Sequence, residues 1–299
     1  MTQPHDIQPP ICDYEGSNYR TDFWEGRGRD YEDRVERIAL KRLLPEHGKR
    51  LLEVGGGFGR LTEEYHMYDQ VVMLDYSFSQ VEYAQKQLGR GVRYIYVAAD
   101  AYNLPFKAGV FDGASMIRVI HHMAHVEQVL AEVRRILVPN GTFILEHANK
   151  RNLKSVLRYA LKRQTWNPHD LEPIEFVKLN YDFHPDDIRQ QLVTAGFRVN
   201  QQVPVSYFRL GALKRTIPAG LLAKADSLLQ RTNLLYSPSI FTQNTAVGES
   251  PRKLDTGDIF ACPICKADLR REGDFMVCTQ ENTRYAVRNQ IYDFKAPVE

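Results

Sequence analysis

The sequence predicts an α/β fold: a doubly wound, mostly parallel sheet with an N-terminal helical segment and a small β-rich module at the C-terminus. Short apolar runs alternate with segments of helical periodicity from residue 51 to residue 145. This alternation is typical of parallel strands joined by crossover helices. A glycine-rich turn follows the first apolar run, and a polar stretch over 248–258 separates a cysteine-containing tail from the rest. These observations define the fold class and two domains.

Composition is that of an ordinary globular protein. The 299 residues are 43% hydrophobic and 25% charged, with a formal net charge of +2. The length suits one large domain plus a small one. The net charge indicates nothing global about partners, so any basic site must be local. No run of 18 apolar residues occurs and the first ten residues lack a signal-peptide core, so we expect a cytoplasmic protein without a transmembrane helix. Oligomeric state cannot be predicted from these features.

The elements follow in order from the N-terminus. Residues 1–45 form a polar, aromatic-rich segment and a helix over 30–44 that ends at Pro45. The domain over 46–247 has predicted strands at 51–54, 70–74, 92–98, 111–117, 142–145, 197–205 and 237–247. Its predicted helices lie at 59–67, from Ser77 onward, at 125–137, at 185–195 and over 211–235 with a break at Pro218.

The glycine-rich turn is the first candidate ligand site. The apolar run 51–54 contains one acid, Glu53, and leads into Gly55, Gly57 and Gly59. Glycine tolerates positive φ and allows a ligand to approach the backbone, and the free N–H groups of a following helix attract anions. Asp75 ends the second strand, 20 residues after Gly55, where a carboxylate can accept hydrogen bonds from ribose. This spacing suits NAD equally well.

Further motifs resemble class I S-adenosylmethionine (SAM)-dependent methyltransferases. They are the glycines at alternate positions, the ordered acids Glu53, Asp75 and Asp100, the run 111–122 and the Leu-Val-Pro-Asn-Gly turn before the fifth strand. The resemblance covers about residues 31–205 and favours the small-molecule subgroup that includes the ubiquinone and menaquinone biosynthesis enzymes. It implies a Rossmann-like sheet of seven strands, the last antiparallel, with the N-terminal segment as a lid over the cofactor.

The same resemblance implies roles for individual residues. The three glycines would pack under the methionine part of SAM, Asp75 would hold the ribose, and Asp100 with Ala101 would contact the adenine. Tyr76, Glu53 and Arg118 complete the implied cofactor-binding set. Each of these acids also has a purely structural interpretation as a helix cap or loop carboxylate.

Catalysis of methyl transfer depends mainly on positioning, because the sulfonium methyl group is already electrophilic. A base is needed only where the acceptor must lose a proton. His121 and His122 follow the fourth strand and are the candidate catalytic residues, although a histidine pair at a helix start is often structural. The run lacks the Asn/Asp-Pro-Pro-Tyr/Phe pattern of enzymes that methylate exocyclic amines of bases, which disfavours that acceptor.

A basic and aromatic insertion is predicted at about 149–184. Residues 149–163 contain six basic residues and no acid, and Lys150, Lys154, Arg158 and Lys162 recur every four residues. This spacing predicts that the four basic side chains form one row along a helix. A solvated outer face, an anionic substrate, RNA phosphates or a membrane surface would each explain it.

The tail over 259–299 contains Cys262, Cys265 and Cys278. It resembles the small zinc-ribbon modules that accompany methyltransferases, in which a second C-x₂-C pair completes the site. Glu281 stands where the fourth cysteine is expected. Because structural zinc sites take four ligands, either Glu281 or Cys12 completes a site or the module has lost its metal.

The function hypothesis is SAM-dependent methylation of a small-molecule acceptor at O, N or C. Two alternatives remain. The first is an RNA methyltransferase that holds phosphates with the basic helix and the ribbon module. The second is a non-catalytic partner protein that keeps the SAM fold.

Overall fold

A computed structural model describes residues 9–17, 20–24, 28–249, 254 and 257–298. The helices are α1 (Asp30–Leu43), α2 (Phe78–Leu88), α3 (Val126–Ile136), α4 (Leu153–Ala160), α5 (Pro185–Thr194), α6 (Gly211–Thr216) and α7 (Ala219–Leu229). The first strands are β1 (Gly48–Val54), β2 (Tyr68–Asp75), β3 (Tyr94–Ala98), β4 (Phe111–Met116), β5 (Leu137–Ala148), β6 (Ile174–Val177) and β7 (Asn180–Asp182). The later strands are β8 (Phe197–Val205), β9 (Ser239–Ala246), β10 (Leu269–Glu272), β11 (Phe275–Cys278), β12 (Arg284–Arg288) and β13 (Ile291–Asp293). Most of the predicted linker 248–258, and residues 1–8 of the N-terminal segment, lie outside the described residues.

The α/β class is confirmed, but the expected count of seven strands is wrong. The main sheet has eleven strands in the order β10-β11-β12-β13-β3-β2-β1-β4-β5-β9-β8. Seven neighbouring strands, in the order β3-β2-β1-β4-β5-β9-β8, form the predicted arrangement. Within it, β9 runs antiparallel to β5 and β8. The other four join because β13 pairs in parallel with β3, for example at Ile291 and Tyr96. This pairing covers an edge that would otherwise expose unpaired backbone groups.

Both faces of the sheet are buried, which explains why its central strands read as continuous apolar runs. Leu51 and Leu52 are adjacent in β1 and point to opposite faces. Leu51 packs with residues of α1 and α7, and Leu52 packs with residues of α3 and α5. The helices therefore lie on both sides of the sheet, and the carboxyl ends of β1 to β4 remain as an edge where a ligand can bind.

The C-terminal segment, residues 259–298, packs on the chain's own core. The ring of Phe260 stacks on that of Phe106 with centroids 5.8 Å apart. The backbone N–H of Phe294 donates to the carbonyl of Ala98 over 2.8 Å. Lys266 donates to the carboxylate of Glu132 at the same distance, 2.8 Å. Apolar side chains on both sides belong to one continuous core, so this segment and the sheet stabilise each other.

The helix and turn signals in the sequence have mixed outcomes in the structure. The predicted helix start at Ser77 is confirmed, since Ser77 is the N-cap of α2 and its hydroxyl accepts from the backbone N–H of Gln80. The predicted helix over 59–67 is wrong in extent, because only the single turn Thr62–Tyr65 is helical. The predicted turn before the fifth strand is a bulge inside β5, where Asn140 has a φ of 63°.

The predicted basic helix over 149–163 is also wrong in extent. Helix α4 begins only at Leu153, where the side chain of Asn152 accepts from the N–H of Ser155. Lys150 precedes it and is buried, with its Nζ donating to the carbonyl of Glu172 over 2.5 Å. Lys162 follows it with a φ of 55°. The single row of four cations is therefore reduced to two residues on the helix, Lys154 and Arg158.

Within the described ranges, the longest and most apolar helices still fall short of what a bilayer crossing requires.

Candidate active site

A cleft of about 760 Å³, part of it open to solvent, lies at the carboxyl ends of β1 to β4. Its walls come from the turns after these strands and from the N-terminal segment. The lining residues are Ile11, Cys12, Tyr14, Val54, Gly55, Gly57, Leu74, Asp75, Tyr76, Gln80, Ala99, Asp100, Ala101, Tyr102, Arg118, Val119, His122 and Met123. Eight of the eleven residues predicted for cofactor binding and catalysis therefore meet in one cavity.

The glycine turn is shaped by three requirements of the backbone. Gly55 has a φ of 70°, and a Cβ there would lie 2.1 Å from a methyl carbon of Val119. Gly57 has a φ of 54° and faces open space within the cleft. Gly59, with a φ of 83°, packs instead against Ala84 and Leu88 of α2 and does not line the cleft. All three positions therefore favour glycine because of their positive φ, and neighbouring side chains restrict Gly55 and Gly59 further.

Asp75 links the glycine turn to the start of α2. Its carboxylate accepts from the backbone N–H of Gly57 over 2.8 Å and from that of Ser77 over 2.9 Å. Burial raises its pKa to about 6, although these two hydrogen bonds oppose the shift. Each oxygen retains a second lone pair, so the side chain can still accept from a ligand's hydroxyl groups.

Asp100 and Ala101 occupy the opposite wall. Asp100 caps the short helical turn Ala101–Asn103 by accepting from the N–H of Tyr102 over 2.9 Å. Burial raises the pKa of Asp100 above its ordinary value. The side chain therefore has both the structural capping role and a place in the lining of the cleft. Tyr76 lies beside it in the same lining.

Glu53 lies in a second recess, of about 440 Å³, that shares Gly55, Gly57 and Arg118 with the cleft. Its Oε2 accepts from the hydroxyl of Thr62 over 2.6 Å. Burial raises the pKa of Glu53 to about 7. This carboxylate thus lies behind the glycine turn rather than in the main cleft.

Arg118 joins the two cavities and is held in an unusual backbone conformation, with a φ of 60°. Its Nε donates over 2.9 Å to Glu36 of α1, which also accepts from Arg60 over 2.7 Å. Burial alone would raise the pKa of Glu36, but the two guanidinium groups outweigh it and lower this pKa to about 2. The guanidinium of Arg60 also lies 3.8 Å from the ring centroid of Trp24 in the N-terminal segment. Three segments of the chain meet at this charge network.

The two candidate histidines differ in their surroundings. His122 lines the cleft, and its Nδ1 lies 2.8 Å from the carbonyl oxygen of Leu179. Because a carbonyl only accepts, Nδ1 carries the proton and Nε2 is left as an acceptor, 3.4 Å from the hydroxyl of Tyr14. Burial lowers the pKa of His122 below its usual value. His121 does not line the cleft, and its buried Nδ1 lacks a hydrogen-bond partner among the described residues.

Several lining residues could not be assigned from motifs. Ile11, Cys12 and Tyr14 come from the N-terminal segment, which the resemblance implied as a lid over the cofactor without assigning any of its residues. Gln80 and Met123 lie one turn beyond the recognised motifs. Only the fold brings these side chains to the cleft.

The three tail cysteines form a compact cluster. The sulfur atoms of Cys262, Cys265 and Cys278 all lie within 4.8 Å of one another. The backbone N–H of Glu281 lies 3.4 Å from the sulfur of Cys278, while its side chain is exposed and stands outside the cluster. Cys12 lines the cleft instead. The spacing fits the sulfur ligands of a tetrahedral metal, with three protein donors among the described residues.

Comparison with known proteins agrees with this geometry. A family model described as "Methyltransferase domain" matches residues 52–145. The O-methyltransferase cnsE of Penicillium expansum is 32% identical over 145 residues, which are 45% of this chain and 52% of that protein. The ubiquinone/menaquinone biosynthesis C-methyltransferase UbiE of Stutzerimonas stutzeri is 27% identical over 179 residues, 54% of this chain and 70% of that protein. The chain thus spans about half to 70% of the length of these curated relatives.

Solved structures share the fold at identities too low to indicate more. A chain from the complex between the Haloferax volcanii Trm112 methyltransferase activator and a methyltransferase has a TM-score of 0.53 at 19% identity, with 81% of this chain and all of that chain covered. The [4+2]-cyclase SpnF has a TM-score of 0.50 at 20% identity, over 75% of this chain and 87% of that one. Residues 52–145 of this chain thus match a model described as a methyltransferase domain, and the two relatives above are named as O- and C-methyltransferases.

Proposed function

We propose that this chain transfers the methyl group of SAM to an O, N or C atom of a small-molecule acceptor. The observation that supports the proposal most directly is the single cleft in which Gly57, Asp75 and Asp100 lie together with His122. The relatives named as O- and C-methyltransferases support the reaction class and leave the acceptor atom open. A cytoplasmic location remains a prediction.

In this proposal the cofactor lies along the carboxyl ends of β1 to β3. Gly55 and Gly57 allow the methionine part to approach the backbone, Asp75 with Tyr76 faces the ribose, and Asp100 with Ala101 faces the adenine. Bound SAM would supply an electrophilic methyl group next to the acceptor. The chain's own contribution is to hold the two reactants in line and to exclude water, the usual source of catalysis in such displacements.

His122 is the proposed base for an acceptor that carries an O–H group. It is neutral at pH 7 because burial lowers its pKa, and its Nε2 faces the cleft beside Tyr14. The acceptor proton would move to Nε2 while the Leu179 carbonyl stabilises the resulting imidazolium through Nδ1–H. His121 is proposed only as a residue that supports His122, since their ring centroids lie 4.2 Å apart.

Binding and turnover experiments test this function separately. Calorimetry with SAM and S-adenosylhomocysteine should detect both ligands, and absence of binding at millimolar ligand would refute the proposal. A screen of hydroxylated, carboxylated and amine acceptors should then release S-adenosylhomocysteine. For a hydroxyl acceptor, His122→Ala should lower turnover by about 10²–10⁴-fold with SAM binding retained. Full turnover in that variant would remove His122 from the mechanism.

The C-terminal segment is proposed to be a zinc-ribbon-like module with a structural metal. Cys262, Cys265 and Cys278 would supply three thiolates, and a water molecule or a rearranged Glu281 would complete four ligands. Metal analysis of purified protein should find close to one equivalent of zinc, and a trace amount only would contradict it.

A further inference from the structure

Exposed apolar side chains are concentrated in the insertion after β5. Of sixteen large apolar residues that are exposed in the described part of the chain, seven lie between residues 153 and 177. They are Leu153, Leu157, Tyr159, Leu161, Leu171, Phe176 and Val177. We define this set, with the neighbouring exposed cations of α4, as the insertion face. Exposed apolar side chains concentrated in one segment of a folded chain mark an interaction surface more often than scattered single ones do.

Helix α4 directs its leucines away from the protein. Leu153, Leu157 and Leu161 recur every four residues and form one row, with exposures of 53%, 52% and 62%. Ser155, on another side of the helix, is the buried residue. In most surface helices the apolar row faces the core and the polar row faces water. The reversed orientation indicates that this row meets an apolar medium outside the chain.

Cations flank the leucine row. Lys154, Arg158, Lys162 and Arg163 are all exposed, and none of them forms an ion pair with another described residue. The loop and hairpin that follow contribute three exposed carboxylates and one more exposed cation; these residues are Asp170, Glu172, Glu175 and Lys178. Cations therefore outnumber carboxylates on the insertion face, and they are concentrated on α4.

We propose that the insertion face docks this chain on the surface of an anionic lipid membrane. An interfacial helix places leucines at the boundary of the acyl chains while its lysines and arginines reach the lipid headgroups. Anionic lipids attract such basic segments electrostatically. RNA matches the cations but not a continuous row of exposed leucines between them. A membrane surface therefore accounts for both features with one partner.

The insertion face is connected to the cleft through the hairpin of β6 and β7. Phe176 and Val177 are exposed near its turn, at 52% and 64%. Two residues later Leu179 is buried, and its carbonyl lies 2.8 Å from Nδ1 of His122. Docking would thus bring the lipid surface close to the cleft. If the proposed methyl transfer holds, the acceptor is then a lipid-soluble molecule taken from the membrane, an extension that rests on that proposal.

Flotation of the full chain with lipid vesicles tests the docking. We expect the protein to float with vesicles of phosphatidylcholine mixed with phosphatidylglycerol, to bind far less to phosphatidylcholine alone, and to lose binding at high salt. Two double variants address the two features: Leu157→Asp with Leu161→Asp, and Lys154→Glu with Arg158→Glu. Each should weaken vesicle binding by about tenfold or more, because the first variant removes apolar contact and adds charge that anionic lipid repels, and the second reverses the cationic charge.

Matched controls are Val193→Asp on α5 and Leu221→Asp on α7, which are similarly exposed at 57% and 56% and lie outside the insertion face. They should bind vesicles like the unmodified protein. Calorimetry with SAM on every variant checks folding and separates a failure of docking from a failure of the cofactor site. The proposal is overturned if the unmodified protein does not float, or if the leucine variant floats normally. Tight RNA binding that depends on the cations and not on the leucines would also overturn it.

Discussion

Replacing Glu36 by glutamine should destabilise the fold by about 3 kcal/mol at pH 7. Glu36 is fully buried in α1 and accepts hydrogen bonds from both Arg118 and Arg60. Its pKa is about 2, against an ordinary value of 4.5. Each unit of that pKa difference corresponds to about 1.4 kcal/mol of extra stability for the ionised form. Glutamine keeps the shape but not the charge, so the variant should lose this amount.

The pH dependence provides a second measurement with a defined sign. Because the pKa of Glu36 is lower in the folded state than in the unfolded state, its contribution is complete above the unfolded value of 4.5. It disappears as the pH falls toward 2. The difference in unfolding free energy between the unmodified protein and Glu36→Gln should therefore shrink as the pH falls below about 4.5.

Urea unfolding measures both effects, and an exposed ion pair supplies the control. Glu82 pairs with Lys86 on the surface of α2 over 2.9 Å, with both side chains at least 36% exposed. Glu82→Gln should change the unfolding free energy by less than about 0.5 kcal/mol. A loss below about 1 kcal/mol in Glu36→Gln, or a loss that does not depend on pH, would refute the assignment of Glu36 as the centre of the charge network.

Three more predictions follow from the cleft and the sheet edge. Gly57→Ala should cost only about 1–2 kcal/mol of stability, since a Cβ there meets no atom within 4 Å, yet the variant should lose tight SAM binding. Gly55→Ala should unfold at a clearly lower urea concentration, because its Cβ would clash with Val119. Asp75→Asn should weaken SAM binding by about 10–100-fold. In the unmodified protein, calorimetry should detect weaker SAM binding as the pH falls below about 6, because the Asp75 carboxylate then takes up a proton. Deleting residues 259–299 uncovers the edge of β3 and part of the core, so the shortened chain should aggregate on size-exclusion chromatography; a monomeric product that binds SAM would contradict this expectation.

Local sequence was sufficient for the elements of the domain. Apolar runs of four to seven residues, separated by glycine and proline signals, predicted the five parallel strands β1 to β5, because both faces of this part of the sheet are buried. Two longer stretches predicted β8 and β9. The spacing of Gly55, Gly57 and Asp75 predicted a shared ligand site, since the carboxyl ends of parallel strands lie on one edge. The limits of α4 were not predictable from charge spacing, because Lys150 is fixed by a contact with the distant carbonyl of Glu172.

The sequence by itself determined the fold class, the glycine turn with its acids and the cysteine cluster, because these depend on residue type and on short spacing. Tertiary structure decided which residues share the cleft. Gly59 turns away from it, His122 lines it whereas the neighbouring His121 does not, and Tyr14 comes from a segment without a motif. It also decided that the C-terminal segment adds four strands to the chain's own sheet. Such pairings join residues far apart in the chain, and their free energy comes from burial and edge hydrogen bonds that a local pattern does not encode.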